Sequence, residues 1–273
     1  MFHLLEKIIN LYKVCREIKF HADDYGYSDN ISKDILNCYN DGIINSVSIM
    51  IDTSDELIAK LKESDIKNIS LHLNLTSLAS TNNSSDEKFL KSLTFTKLFF
   101  LKKNQRNICI KEIDYQINKF TSHFPEIDLM IDGHHHIQII PWIFKYLNKN
   151  YGQKIKFLRI PNEKLVLLNV SYLFSFTFYR NLLASLILKT ISVSIEKNSK
   201  SEFAGLLYSG IYNSKSLNKH INLLNNSTNQ VEITFHPGTG IESERNLFKK
   251  NHFKYVSSIK RKKEYLLLTN QEK

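Results

Sequence analysis

The stretch Ile18-Lys19-Phe20-His21-Ala22-Asp23-Asp24-Tyr25-Gly26 decides how this chain reads. Residues 18–22 have the look of a short strand, and two adjacent acids follow them. Asp29 then stands where a helix N-cap would be, with the helix running through Asn40 and stopping at Gly42. Two ionised carboxylates side by side repel each other. Holding them at a strand end requires a compensating cation, proton or substrate. The order strand, acids, helix thus points to an α/β fold and to metal or acid–base chemistry.

The alternation continues downstream. Residues 43–50 are β-branched and partly alternating. Thr53 with Glu56 resembles a capping box that opens a helix to about Glu63. Residues 69–75 alternate cleanly, with Ile69, Leu71, Leu73 and Leu75 on one face and Ser70, His72 and Asn74 on the other. Residues 77–87 read as a polar loop, 108–124 as a helix and 127–131 as a strand that leads into Asp132-Gly133-His134-His135-His136. Pro141 opens a helix to about Asn150, and a strand over 156–160 stops at Pro161. After an apolar segment come a helix near 216–224, a strand over 231–235 ended by His236-Pro237-Gly238, and a helical tail. This order predicts a single α/β domain over 18–273, a mostly parallel sheet open or closed into a barrel, with 76–107 and 162–215 laid over it.

Composition narrows the class. The chain has 273 residues, 42% hydrophobic and 23% charged, with eight Gly and four Pro. That fits a globular protein with a sizeable core and argues against disorder or a fibrous repeat. Cys15, Cys38 and Cys109 lack metal-ligand spacing, which suits a reducing, cytoplasmic setting. The net charge is +10, and Lys249, Lys250, Lys254, Lys260, Arg261, Lys262 and Lys263 form the clearest cluster. No aromatic stacking pattern interleaves it. It reads as a solvated helix face, and no nucleic-acid partner is expected. Residues 1–17 carry apolar residues at helical spacing without a long apolar core or a cleavage site, so they read as a helical extension. Residues 165–195 are strongly apolar but interrupted by Asn169, Arg180, Asn181 and Lys189. A membrane span needs about 20 mostly apolar residues. A buried helix pair is the favoured reading, with a peripheral membrane contact as the other. A homodimer is compatible with the chain.

The polar residues that need explaining share a position. Asp23 and Asp24 follow the first strand, His72 lies on the third, Asp132, His134 and His136 follow a later one, Arg159 ends another, and His236 follows the last. Each has a plainer reading alone: a satisfied polar side chain, an exposed loop, a salt-bridge partner, a turn. In parallel α/β folds, however, the carboxyl ends of the strands converge on one face, where sites form. Two imidazoles with one carboxylate leave coordination positions open and suit Zn²⁺, Mn²⁺, Co²⁺ or Fe²⁺, whereas Mg²⁺ prefers oxygen.

Taken together, these segments resemble the YdjC-like carbohydrate deacetylase family. The matching pieces are residues 21–28, 41–50 and 71–76, then Asp132-Gly133-His134-His135-His136 with Pro141, Arg159-Ile160-Pro161, and 232–238. They occur in family order over most of 18–240. The resemblance implies a distorted β/α barrel and removal of an N-acetyl group from an amino sugar on an oligosaccharide or lipid-linked glycan. By motif position it implies one divalent metal ion on Asp24, His72 and His134, Asp23 as general base, His236 as general acid, and Arg159 orienting Asp23 or the substrate. Asp132 would hold a ligating imidazole in its tautomer. The family is usually described with Mg²⁺; the ligand chemistry favours Zn²⁺. Gln138 stands where the family usually has a further His, His21 replaces a common Asn, Ser70 a common Gly and Tyr25 a common Phe.

Three other classes fit these residues less well. A metal phosphoesterase would need more His and Asp ligands and a basic phosphate loop. A non-catalytic sugar-binding or membrane-associated protein has no evident use for a second acid beside Asp24. A ferrous oxygenase would normally sit on an all-β fold.

Overall fold

Residues Ile18–Tyr25 form the first strand, β1, of the computed structural model, and all but Lys19 are buried. The structure describes residues 18–77, 85–193, 195, 201–225, 230–248 and 250–271. The extension expected over 1–17 lies outside them, as do 78–84 of the expected loop. After β1 come α1 (Asp29–Asn40), β2 (Ser46–Ile49), α2 (Asp55–Glu63), β3 (Asn68–Leu73), α3 (Ser85–Lys91), α4 (Phe95–Phe99), α5 (Lys103–His123) and β4 (Leu129–Gly133). A 3₁₀ turn (His134–Ile139) leads to α6 (Pro141–Tyr151) and β5 (Ile155–Leu158). A second 3₁₀ turn (Val170–Phe174) leads to α7 (Phe176–Val193), β6 (Ser201–Ala204), α8 (Ser214–Leu224) and β7 (Gln230–Phe235). A third (Glu242–Leu247) precedes α9 (Lys250–Val256) and α10 (Ile259–Leu268).

The seven strands lie in the order β5-β4-β3-β2-β1-β7-β6, with every pairing parallel. They curl into a half-barrel, and an isolated bridge between Glu163 and Phe203 links the chain after β5 to β6. Parallel sheets bury both faces. The alternation in β3 accordingly separates two interiors rather than core from solvent. Leu71 and Leu73 pack in the hydrophobic core with Val47, Ile49, Ile131 and Ile233. On the other face Ser70 and His72 are also buried, in line with His21, Ser48, Asp132 and Glu232 from neighbouring strands. The concave face of the half-barrel is therefore polar, and its groups bond one another across strands.

Several expectations need correction. Ser28, not Asp29, caps α1 by accepting from the Ile31 amide, and Ser54, not Thr53, caps α2 by accepting from Leu57. In both cases the neighbouring residue offered the same chemistry one position away. Asp23, Asp24 and Asp132 sit inside strands rather than after them. The short strand β6 had no signal strong enough to separate it from loop. The largest correction concerns 165–195. It is a 3₁₀ turn followed by one helix, and its outer side is exposed rather than buried.

Candidate metal centre and active site

Successive strand residues point to opposite faces, yet Asp23 and Asp24 reach the same centre. The reason is local. The β1–β2 register runs Ala22↔Val47 and then Tyr25↔Ile49, so β1 carries an extra residue, and Asp24 takes φ 75. This bulge, with a left-handed non-glycine residue, turns both carboxylates into the site. His135 and His136 also take φ 57, so three of the four such residues among those described lie at this site. Strained backbone at one place is a hallmark of function. Gly133 completes the turn: a Cβ there would stand 2.5 Å from Gln138 Oε1.

Asp24, His72 and His134, all buried, place ligand atoms within 4.8 Å of one another. Asp24 Oδ1 lies 3.3 Å from His72 Nε2 and 3.2 Å from His134 Nδ1. The His72 Nδ1 edge faces Asp132 Oδ1 at 2.5 Å, which fixes the tautomer and aims Nε2 at Asp24. His72 Nε2 and His134 Nε2 have no hydrogen-bond partner although they are buried. Of these, His72 Nε2 is the one beside the Asp24 oxygen, while His134 meets that oxygen through Nδ1. Two buried imidazoles around one carboxylate make a donor set for a divalent cation. The residues present fit such an ion.

Charge leads to the same place. Four buried carboxylates (Asp23, Asp24, Asp132, Glu232) face two buried guanidiniums, Arg159 and Arg261. Carboxylates therefore outnumber guanidiniums at this place. Burial pulls the His72 imidazole down, but Asp23 and the hydrogen bonds it donates to Asp132 and Asp24 outweigh it and push it up to about 10. Burial pushes Asp24 up, but Arg261 and the two imidazoles hold it well below the usual carboxylate range. His134 is drawn down by burial, against Asp24. Its neutral form is the one a metal needs.

Asp23 has a different setting. Arg159 binds it in a fork, Nη1 to Oδ2 at 2.8 Å and Nη2 to Oδ1 at 3.0 Å, and Ser48 Oγ donates to it at 3.1 Å. Burial opposes ionisation; Arg159 and His72 overcome it, so Asp23 stays ionised well below its ordinary range. Arg159 also reaches Glu232 at 2.5 Å and Asp132 at 3.4 Å. His21, Asp23 and Asp132 form a second group with metal-like proximity, but the guanidinium already supplies its cation. His236 sits at the rim, half-buried, with Nε2 3.8 Å from Asp23 Oδ2. Gln138 is turned away from the ligand set: its Nε2 donates to the Arg159 carbonyl at 2.9 Å.

Asp23, Asp24, His72, Asp132, His134, Arg159 and His236, all singled out by sequence, thus lie beside one another. The sequence reading missed Arg261 and Glu264. Arg261 was grouped with solvated lysines, yet it is 1% exposed and donates to Asp24 Oδ2 at 2.6 Å, to the Gly238 carbonyl at 2.7 Å and to the Pro237 carbonyl at 3.1 Å. One turn on, Glu264 accepts from the His236 amide at 2.5 Å and from the Gly210 amide at 2.5 Å. Helix α10 thus fastens the end of β1 to the end of β7. The spacing Arg261–Glu264 on one helix face, with Leu267 and Leu268 buried below, was the available signal.

Comparisons with known proteins agree with this architecture. A carbohydrate deacetylase of Clostridium beijerinckii is 28% identical over 155 residues, covering 53% of this chain and 61% of that protein. One of Danio rerio is 25% identical over 154 residues, covering 52% and 49%. The chain spans about half the length of the curated relatives it matches. A solved Enterococcus faecalis structure, provisionally named for cellobiose-phosphate cleavage, shares the fold with a TM-score of 0.57 at 15% identity, covering 93% of this chain and 90% of that one. The family model described as YdjC-like protein matches residues 17–273, and the chain belongs to that family.

Proposed function

We propose that this protein hydrolyses the N-acetyl group of an acetylated amino sugar, on an oligosaccharide or a lipid-linked glycan. The reaction adds water across the amide C–N bond and releases acetate and a free amine. The observation that carries this reading is the buried cluster of Asp24, His72 and His134, whose ligand atoms lie within 4.8 Å of one another, with a separately held carboxylate, Asp23, beside it. The names of the deacetylase relatives add support.

Asp24, His72 and His134 would hold one divalent ion, and Zn²⁺ suits two imidazoles and a carboxylate better than Mg²⁺. When bound, the ion supplies Lewis acidity, which polarises the amide carbonyl and acidifies water. Asp23 takes the proton from the attacking water. Arg159 fixes that carboxylate in one orientation and keeps it ionised over the whole neutral range. A base of low pKa accepts a proton only as the water becomes acidic, so the base and the ion must be adjacent. His236, at the rim, donates a proton to the departing nitrogen. Asp132 orients His72, and Arg261 anchors Asp24.

The test is an acetate-release assay over mono-, oligo- and lipid-linked N-acetyl sugars with Zn²⁺, Co²⁺, Mn²⁺ or Mg²⁺. Acetate release that stops with chelator is the expected result. Turnover of an aryl phosphate with no acetate from any sugar would overturn the proposal.

A further inference from the structure

Helix α7 is inside out. Its buried side carries Asn181, Ser185 and Ser192 along with Phe178 and Leu188. Its outer side presents Phe176, Tyr179, Leu183, Leu186, Ile187 and Val193, all exposed. Their spacing puts them on one stripe. The helix cannot relieve this by turning on its axis, because polar bonds fix its inner side. Asn181 Nδ2 donates to the carbonyls of Leu207 and Ser209 at 3.2 and 3.0 Å, and Ser185 Oγ donates to Glu163 at 3.3 Å. The turn before the helix extends the stripe: Phe174 is 90% exposed and Phe176 85%. Of the seventeen large apolar side chains exposed among the described residues, eleven fall between 165 and 193. Soluble surfaces rarely gather apolar groups in this way unless something covers them.

Charge selects the partner. From Lys164 to Val193 there is no acidic residue; the charges are Lys164, Arg180 and Lys189. Lys164 pairs with Glu202 at 2.9 Å, but exposed Arg180 bonds neutral Asn181 and lies close enough to Lys260 for the two cations to repel. A two-fold dimer through this stripe would set Arg180 and Lys189 of each copy near those of the other. Anionic headgroups would complement them instead. No helix among the described residues is long and apolar enough to cross a membrane, so the helix, about 27 Å long, would lie along the surface.

We propose that α7 and the turn before it dock this protein on an anionic lipid bilayer, with Phe174 and Phe176 among the acyl chains and Arg180 and Lys189 among the headgroups. Leu188 shares a buried apolar cluster with Ile139 and Ile160, which ties the docked helix to the turn that carries His134. The bilayer would then lie beside the site. Docking does not depend on the deacetylase reading, since vesicle binding and acetate release are measured separately.

The test is co-sedimentation of the full chain with vesicles of phosphatidylcholine, alone or mixed with phosphatidylglycerol. Binding should need the anionic lipid and weaken with salt. Phe174→Ser with Phe176→Ser, and separately Arg180→Glu with Lys189→Glu, should each cut the partition coefficient about tenfold or more. Phe174, Phe176 and Arg180 are exposed and Lys189 is half-buried at the helix surface, so an unchanged circular dichroism spectrum is expected. Wild-type protein that stays in the supernatant at low salt overturns the proposal. So does equal binding by either variant, or a dimer in light scattering that the Phe substitutions abolish while wild type ignores vesicles.

Discussion

Arg261→Met probes the clamp on Asp24, the carboxylate of the candidate metal centre. The substitution keeps an apolar stem but removes the charge and the bonds to Asp24, Gly238 and Pro237. Taking one partner from a buried ion pair costs about 3–5 kcal/mol, because the other charge stays behind uncompensated. With a urea slope of a few kcal/mol per molar, the midpoint should fall by about 1–2 M in chelator. A bound divalent ion would give Asp24 another counter-charge, so with excess Zn²⁺ the loss should shrink by at least about 1 kcal/mol. Arg261→Lys keeps the charge without the fork and should fall between. Asp24→Asn combined with Arg261→Met should be less damaging than the sum of the two, by at least about 1.5 kcal/mol. A loss below 1 kcal/mol in chelator, or additive single effects, would refute the clamp.

Asp23→Asn should still bind one divalent ion while acetate release falls about 10²–10⁴-fold; full activity removes Asp23 from the role of base. His72→Ala and His134→Ala should each abolish tight cation binding in calorimetry, and an unchanged affinity would dismiss that residue as a ligand. Asp23, Asp24 and Asp132 have folded pKa values below the ordinary 3.8. The stability they give is fully present above that value and is lost as pH falls through the lower folded values. Arg159→Met raises the values of Asp23 and Asp132, so the acid-unfolding midpoint, followed by circular dichroism, should move to higher pH; an unmoved midpoint counts against this electrostatic account.

Much of this was legible in the sequence, and the reasons are physical. Residues 69–75 showed a period-2 trace because one face of β3 packs in the apolar core and the other lines a polar interior. Strand ends gather at one face, so Asp24, His72 and His134 could be placed together without knowing any distance. What could not be read were features set by long-range packing. The bulge that turns Asp23 and Asp24 the same way depends on register with β2. Arg261 looked like any cation in a basic tail, since its burial follows from where α10 lands rather than from its neighbours in sequence. Strand β6 is four residues long and owes its identity to pairing with β7. The exposure of α7 misled for the opposite reason. Apolar composition predicted burial, but three of the five buried positions are taken by Asn181, Ser185 and Ser192.

The most direct measurement is anomalous diffraction at the zinc edge from crystals grown with Zn²⁺. The account predicts one strong peak within bonding distance of a carboxylate oxygen of Asp24 and a ring nitrogen of both His72 and His134, about 2.0–2.2 Å away. A peak elsewhere, or none near Asp24, would contradict it.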